Sequence, residues 1–422
     1  MDSAASLADL LRATQLAELI GSPPTRGVLA FHETCSVGQA LSLLRKEALR
    51  SAPVLAASSG VAPRADGTVA APFLRSAVQG FICAAEIGAQ LLHALPQDAF
   101  PPSPEALEAA GAALAARPVS ALLRPLPPPP CVALGEDLLS LVLAFDESRC
   151  HHMLVRDGAP AGLEADPPVI GVVSQSDAVK FFARAARGPA AAPAAAQLAA
   201  KPLAALGLAG RALAAHRHGA GAGAAAAPHH RSRFSSGGGG SSGGGGGSGG
   251  GGASAGGGHP VHGVGWRLAT VPESASALEA VRVIVAKGVS GVAIVARGSG
   301  DLVGHLGASD LRCLAPGVFS RLLLPVREFL SAHVPPAPRA SGGGAGGLPV
   351  DGAEGGDGKG GPPLAGRVLC AQPSSSLGSL VSAMIAKRVH RVYAADSDSA
   401  PVSVVTCSDV LAVLAGTSGG AA

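Results

Sequence analysis

An internal repeat constrains this chain more than any other feature of its sequence. In the last copy, Leu377, Leu380, Val381 and Met384 fall at i, i+3, i+4 and i+7, which places them on one face of a helix. The same apolar stripe begins again at Val37, Leu138 and Ala277. Thirteen residues after each stripe begins, a strand-like run opens, at Arg50, His151, Ser290 and His390. Four copies in one register predict a fold built from repeated units.

Each copy has the same order of apolar runs around its stripe. A short run precedes each stripe, at 28–31, 131–134, 268–271 and 368–371. A second strand-like run follows the first and ends at an acidic residue, at Glu86, Asp177, Asp310 and Asp409. The predicted unit is therefore strand, helix, strand, strand, helix. Because one unit of about 50–60 residues cannot bury both faces of its small sheet, we expect repeat 1 to pair with repeat 2 and repeat 3 with repeat 4.

Two stretches of biased composition separate the repeats. The Ala-, Gly- and Ser-rich segment 186–263 has few side chains that can pack, and we predict a long flexible linker there. A Gly- and Pro-rich segment, 331–366, predicts a solvated loop between repeats 3 and 4. The histidines near the linker lack the regular spacing of a ligand set, so we predict no metal site.

Composition and motifs exclude several classes of function. The net charge of +3 is spread along the chain without a basic stripe, which argues against a nucleic-acid binder. No apolar run approaches the ~20 residues of a membrane span. The scattered cysteines favour a reducing compartment, so we expect a cytoplasmic or nuclear protein. No nucleophile elbow, phosphate-binding loop or zinc-protease motif is present, so we predict no catalytic residues and no enzyme activity.

The last repeat, with HRVYAAD at 390–396 and VSVVTCSDVL at 402–411, resembles a cystathionine-β-synthase (CBS) repeat. The second resembles it in HHMLVRD, 151–157, and GVVSQSDAV, 171–179. The first, RSAPVLA, and the third, GVSGVAIVA, are similar to the corresponding repeats of gamma subunits of AMP-activated and sucrose-nonfermenting-related protein kinases. This resemblance implies an α/β fold of four β-α-β-β-α repeats in two CBS pairs, or Bateman modules. The repeats would span 15–95, 117–185, 264–330 and 367–416.

The resemblance also implies which residues bind a ligand. In that family a Ser/Thr-x-x-Asp at the start of the second helix contacts a ribose, and basic residues opening the second strand face the phosphates. The ribose pairs here are Ser174 with Asp177 and Thr406 with Asp409, and Asp310 remains in repeat 3. The phosphate-facing residues are Arg50, His151, His152, His390 and Arg391. The alternative for each Ser or Asp is an ordinary helix cap.

Repeats 1 and 3 depart from this pattern. Repeat 1 has Cys83 and Glu86 where a hydroxyl and an aspartate are expected. Repeat 3 has Gly307 in place of the hydroxyl, and its strand opens with Ser290 and Gly291, neither of them a cation. We therefore expect repeats 2 and 4 to carry the better nucleotide-binding residues.

The resemblance implies a non-catalytic regulatory subunit that senses AMP, ADP or ATP and needs no cofactor. Its partners would be the catalytic alpha and scaffolding beta subunits of a protein kinase. Two alternatives stay open. One is a CBS-pair regulator of another partner, acting through homodimers, and the other is a structural adaptor whose nucleotide sites have decayed. The sequence leaves the preferred nucleotide and the number of sites open.

Overall fold

The four predicted units are present in the computed structural model. The model describes residues 6–20, 28–70, 72–96, 100–123, 129–148, 150–157, 168–187, 192–209, 268–333, 368–395 and 400–416, and these ranges belong to one compact unit. The predicted linker residues 210–263 and the predicted loop residues 334–366 lie outside this described part.

Within the described part, helices and strands alternate as the repeat predicts. The α-helices are α1 Leu7–Ala13, α2 Leu16–Ile20, α3 Val37–Lys46, α4 Ala84–Ala94, α5 Pro104–Ala116, α6 Leu138–Ser148, α7 Gln175–Ala185, α8 Pro193–Ala200, α9 Ala277–Lys287, α10 Val326–His333, α11 Leu377–Lys387 and α12 Cys407–Leu414. The strands are β1 Leu29–His32, β2 Ser51–Leu55, β3 Thr68–Ala70, β4 Phe73–Leu74, β5 Val78–Cys83, β6 Cys131–Ala133, β7 His152–Arg156, β8 Pro168–Ser174, β9 Thr270–Pro272, β10 Gly291–Val295, β11 Leu302–Gly307, β12 Cys370–Ala371, β13 Arg391–Ala395 and β14 Pro401–Thr406. No described helix is both long enough and apolar enough to cross a membrane.

Each repeat forms its own small sheet. The first strand runs parallel to the second, and the second pairs antiparallel with the third, as in β12-β13-β14 of repeat 4. The insertion in repeat 1 adds β3 to its own sheet and β4 to the edge of the repeat 2 sheet. A stripe of apolar side chains on the first helix of every repeat is buried, as predicted from its spacing.

The second helix of repeat 3 differs from the predicted α-helix. Residues Ala308–Cys313 form a 3-10 helix instead. Pro316 follows three residues later. Because a proline lacks an N–H group and disfavours helical backbone at the residue before it, the chain cannot continue as an α-helix there.

Strand faces and helix faces join the repeats in different combinations. A cluster of buried strand residues, including Leu55, Phe73 and Val169, links repeat 1 with repeat 2. His305 of repeat 3 and Tyr393 of repeat 4 meet in the other pair, with ring centroids 5.8 Å apart. These contacts support the predicted pairing. Helices join the pairs in turn, because one core cluster combines repeats 1 and 3 and another combines repeats 2 and 4.

Helices outside the β-α-β-β-α pattern complete these cores. Helix α5, between repeats 1 and 2, packs on α3 and on the 3-10 helix Phe319–Leu323 of repeat 3. The segment before repeat 1 packs α1 on α6 of repeat 2, and α10 packs on α9 of repeat 3. Each repeat therefore rests on an additional helix that lies outside its own β-α-β-β-α sequence.

The predicted start of the flexible linker is wrong. Residues 192–209, inside the range 186–263, form α8 and a following turn, and α8 packs against α11 of repeat 4. Ala195 and Leu203 are fully buried there. Alanine is a strong helix former, and its small side chain lets α8 lie close to Gly378 of α11, where an added Cβ would be 3.0 Å from that of Ala199.

Candidate functional site

The sheet register places the candidate residues of each repeat side by side. In repeat 4, Arg391 at the start of β13 is paired across the ladder with Thr406 at the end of β14. In repeat 2, His152 is paired in the same way with Ser174. Because each second helix begins directly after the third strand, the basic residue of each repeat lies next to a helix N-terminus. The N-terminal N–H groups of such a helix favour an anion.

Both Ser/Thr-x-x-Asp sequences form capping boxes. Asp409 Oδ2 accepts hydrogen bonds from the backbone N–H and the hydroxyl of Thr406, at 2.7 and 2.6 Å. Asp177 Oδ2 accepts the equivalent pair from Ser174, at 3.1 and 2.7 Å, while its Oδ1 accepts from Lys180 Nζ at 3.0 Å. The capping alternative is therefore correct for these aspartates, which use one oxygen each for the helix end.

Repeats 1 and 3 keep the acidic half of this arrangement. Glu86 accepts a hydrogen bond from the backbone N–H of Cys83 at 2.7 Å, and Asp310 accepts one from Gly307 at 2.8 Å. Neither repeat has a hydroxyl at the first position. Burial and the neighbouring carboxylate raise the pKa of the Cys83 thiol, which is therefore an inert, protonated group.

Basic residues from three repeats converge where the four repeats meet. Four basic side chains interact electrostatically with one another or with a shared neighbour. They are Arg50 of repeat 1, His152 of repeat 2, and His390 and Arg391 of repeat 4. Burial is the main reason that the pKa of Arg50 is lowered to about 10; the charges of Arg391 and Arg312 add to this effect, and Cys407 and Asp310 oppose it. The Arg50 side chain nevertheless keeps accessible surface. Solvent therefore reaches this guanidinium, which stays charged at neutral pH. We call these four residues the junction cluster.

The two histidines of the junction cluster bind hydroxyls of other repeats. His152 Nδ1 lies 3.1 Å from Ser51 Oγ, and His390 Nδ1 lies 2.6 Å from Ser176 Oγ. Burial, reinforced by neighbouring positive charges, lowers the pKa of His152 to about 4 and that of His390 to about 3. Both imidazoles are therefore neutral in the ligand-free protein at neutral pH.

Arg391 reaches from repeat 4 to repeat 3. Its Nη2 donates to the carbonyl oxygen of Ser290 at 3.0 Å and to Ser290 Oγ at 2.7 Å. The guanidinium lies over Gly291, where a Cβ would collide with Arg391 Nη1. The missing cation at the start of the repeat 3 strand thus has a structural reason, because Arg391 fills the space that a side chain at Gly291 would need.

Comparison with known proteins agrees with this architecture. A family model described as CBS domain matches residues 266–315, which include β9, α9, β10 and β11. The chain thus contains a CBS domain in this range. No curated protein sequence matches it. Among solved structures, a Methanocaldococcus jannaschii protein proposed in its description as an archaeal homolog of g-AMPK shares the fold, with a TM-score of 0.53 and 10% identity over 95% of this chain and 99% of that one.

Two further solved structures match with lower TM-scores. A conserved protein from Pyrococcus horikoshii is 11% identical, with a TM-score of 0.39 over 87% of this chain and 91% of that chain. CBSX2 in complex with AMP is 16% identical, with a TM-score of 0.27 over 42% of this chain and all 100% of that chain. Of these three similarities, only the first has a TM-score above 0.5, and at 10% identity it describes the fold alone.

Not every predicted residue joins the junction cluster. His151 is exposed at the start of the second strand of CBS repeat 2, where its Nδ1 lies 3.4 Å from Gln175 Oε1. Asp310 stands on the repeat 3 side, where its charge acts on both Arg50 and Arg312. The ten predicted residues thus divide into the junction cluster, the capping aspartates with their hydroxyls, and the peripheral His151. Whether they bind a nucleotide stays a prediction.

The sequence interpretation missed the residues that connect CBS repeats 2 and 4. Buried Gln175 accepts a hydrogen bond from Ser408 Oγ at 2.9 Å and donates to the carbonyl oxygen of Cys150 at 2.8 Å. Ser176, which binds His390, occupies the same position in α7 as Ser408 does in α12. A signal was present, since Gln175 and Ser176 lie inside Ser174-x-x-Asp177, while Ser408 lies inside the equivalent sequence of repeat 4. Among the described residues, no three His, Cys, Asp or Glu side chains cluster as metal ligands.

Proposed function

We propose that this CBS-domain protein is a non-catalytic regulator that senses an adenine nucleotide at the junction of its four repeats. The observation that carries the proposal is the convergence of Arg50, His152, His390 and Arg391 beside the N-termini of α7 and α12. Several positive or proton-accepting groups close to two helix N-termini suit the phosphate of a nucleotide.

Repeat 4 offers the best ribose contact. Asp409 uses Oδ2 in its capping box, and no described residue donates a hydrogen bond to its Oδ1. This second oxygen is available to accept a hydrogen bond from a ribose hydroxyl. In repeat 2 the corresponding oxygen of Asp177 is bonded to Lys180. We therefore propose that the Thr406–Asp409 site binds the nucleotide more tightly than the Ser174–Asp177 site.

The first experiment measures binding of AMP, ADP and ATP by calorimetry to the full chain and to Asp409→Ala. We expect the variant to lose about 1–3 kcal/mol of binding free energy, because it removes a charged hydrogen-bond acceptor. Glu279→Ala is the matched control. Glu279 completes the same kind of capping box with Ser276 at 2.7 and 3.0 Å, but on α9, away from the junction cluster.

Both variants should lose similar stability through their helix caps, about 1 kcal/mol, and only Asp409→Ala should lose affinity. Equal affinity in the parent and in Asp409→Ala would remove Asp409 from the site. If no adenine nucleotide binds at millimolar concentration, the structural adaptor becomes the better interpretation.

We propose a protein kinase as the regulated partner, supported by the fold shared with the archaeal protein and by the resemblance of the repeats to kinase gamma subunits. Co-expression with alpha- and beta-type kinase subunits tests this, with size-exclusion chromatography and a kinase assay across AMP concentrations. A stable ternary peak with AMP-dependent activity is expected. Elution of this chain by itself, as monomer or homodimer, would favour a CBS-pair regulator of a different partner.

A further inference from the structure

The junction cluster contains two kinds of nitrogen base in different protonation states. Arg50 and Arg391 are permanently charged, whereas His152 and His390 are kept neutral by burial and by the arginines. In each histidine Nδ1 is the nitrogen that lies against a hydroxyl of another repeat. No described residue forms a hydrogen bond with Nε2 of either ring, which leaves that nitrogen available to take up a proton.

The charged and titratable groups around the two histidines determine whether their rings take up protons. His390 is surrounded by Arg50, Arg391, Lys180 and His152. His152 faces His151 and Arg50, with Asp177 as the opposing negative charge. Cys407 Sγ lies 3.9 Å from His390 Nδ1, and burial raises the pKa of that thiol, so it supplies no negative charge. Positive charge therefore dominates around both rings in the ligand-free protein.

A bound anion reverses that balance. A phosphate group beside Arg50 and Arg391 cancels the repulsion that keeps the histidines neutral, and it offers oxygens to a protonated ring. Proton binding and anion binding then strengthen each other by the same factor, because linkage is reciprocal.

We propose that the junction is proton-coupled: when a phosphate-bearing ligand binds beside Arg50 and Arg391, His152 and His390 take up protons and become additional hydrogen-bond donors to it. The proposal rests on the proposed nucleotide-binding function and adds its regulation, since ligand affinity increases as pH falls from 8 towards 6. His305 of repeat 3 is a third histidine on which the charges of Arg391 and Arg50 act, and its Nδ1 lies against the Val292 carbonyl oxygen and the Tyr393 hydroxyl.

Nuclear magnetic resonance of the full chain with isotope-labelled histidine tests the coupling directly. Ring signals are followed from pH 5 to 8, without ligand and with saturating AMP, and His152→Gln and His390→Gln assign the two signals. With AMP bound, at least one of the two should titrate above about pH 6, two or more units above its ligand-free pKa, because only a bound-state pKa in this range changes affinity between pH 7.5 and 6.0. The ring signal of the exposed His93, which the variant His93→Gln assigns, is the control and should not respond to AMP.

Calorimetry with adenosine 5′-sulfate supplies a second readout, because this anion does not itself titrate in the range. Its affinity should rise about threefold or more between pH 7.5 and 6.0, and the rise should disappear in the double variant His152→Gln/His390→Gln but persist in His93→Gln. AMP binding with unchanged titration of both histidines would overturn the coupling alone. Failure of AMP to bind at all would overturn the proposed function and the coupling with it.

Discussion

Single residues at the contacts between repeats have structural roles that the repeat pattern does not predict. Sequence comparison among the four units shows Gly291 only as a missing cation, a sign of weakness in repeat 3. In the structure, Arg391 of another repeat lies over this glycine and bonds to Ser290. Local spacing cannot predict that Arg391 of repeat 4 occupies the space of a missing side chain in repeat 3, because this depends on how the two sheets face each other.

Gly291→Ala should therefore destabilise the contact between repeats 3 and 4. The new Cβ would lie 2.5 Å from His305 Cε1 and 2.8 Å from the carbonyl oxygen of Leu306, a backbone atom that cannot move freely. We expect a loss of about 1–3 kcal/mol in the free energy of unfolding, measured in urea. Gly135→Ala, where nothing lies within 4 Å of the added Cβ, is the control. An equal effect of both substitutions would contradict the close approach of Arg391.

Three half-buried histidines also predict how stability depends on pH. The pKa values of His152, His305 and His390 are lowered to about 4, 3 and 3, from about 6.5 in the unfolded chain. Between these values the unfolded state binds more protons, so the free energy of unfolding falls as pH decreases below about 6.5. Each histidine contributes up to about 1.4 kcal/mol per pH unit.

Urea unfolding at pH 7.5, 6.5 and 5.5 checks this expectation. His390→Gln should flatten the fall below pH 6.5, since glutamine does not titrate. The exposed His93→Gln should leave the pH profile as in the parent chain. An unchanged profile in His390→Gln would show that this ring is not held neutral in the folded protein.

At the scale of elements, the β-α-β-β-α units were predictable and their supporting helices were not. The stripes and the two apolar runs of each unit carry strong periodic signals, and all four units formed, with a 3-10 helix in place of the second α-helix of repeat 3. The supporting helices α5 and α8 are rich in alanine, which has little hydrophobic contrast. The sequence does contain a weaker signal for these supporting segments, a proline followed by a buried Val or Leu. It occurs at Pro118, Pro202 and Pro325, and each of these prolines forms a β-bridge with the N-cap residue of a repeat's first helix.

The packing of α5 shows why alanine and glycine matter there. Gly111 faces the ring of buried Phe319 so closely that a Cβ would overlap the ring atoms. On the same helix, Glu108 accepts hydrogen bonds from the N–H and hydroxyl of Ser320, at 2.8 and 2.7 Å. Burial raises the pKa of Glu108, but these bonds outweigh it and hold the pKa below its usual value. The α5 surface is thus a close contact between repeats 1 and 3.

Gly111→Ala should destabilise the protein although alanine favours a helix. The propensity gain is about 1 kcal/mol, whereas forcing a methyl group into the Phe319 ring costs about 1–3 kcal/mol or more. Ala112→Gly, on the exposed face of α5, should lose only the propensity, about 1 kcal/mol. Thermal and urea unfolding of both variants compare the effects. A stabilised Gly111→Ala would show that α5 does not lie against Phe319.

At the largest scale that the structure describes, each of the four repeats contacts two others. Strand contacts join repeats 1 and 2 and repeats 3 and 4, and helix contacts join repeats 1 and 3 and repeats 2 and 4. Arg312 of repeat 3 reinforces one of these joints by donating to the carbonyl oxygen of Leu49 in repeat 1 at 2.7 Å. The junction cluster exists only when all four contacts are made, since it draws its residues from three repeats.

This arrangement predicts that the two halves of the chain need each other. Each of the two helix-face cores takes buried residues from both halves, so a separate half would expose apolar surface such as Ile87 and Leu91, or Leu311 and Phe319. We expect residues 1–215 and 262–422, expressed together as separate chains, to form a 1:1 complex in size-exclusion chromatography with light scattering. Expressed alone, each half should aggregate or self-associate, because an exposed apolar face of this size favours association.

Leu311→Asp in the second half should weaken the complex by placing an unpaired charge in the core, whereas Arg297→Ala, on an exposed turn, should not. If the two halves were stable monomers that form no complex, the helix faces would not hold the halves together. The junction cluster would then lack the framework that brings Arg50 to His390 and Arg391.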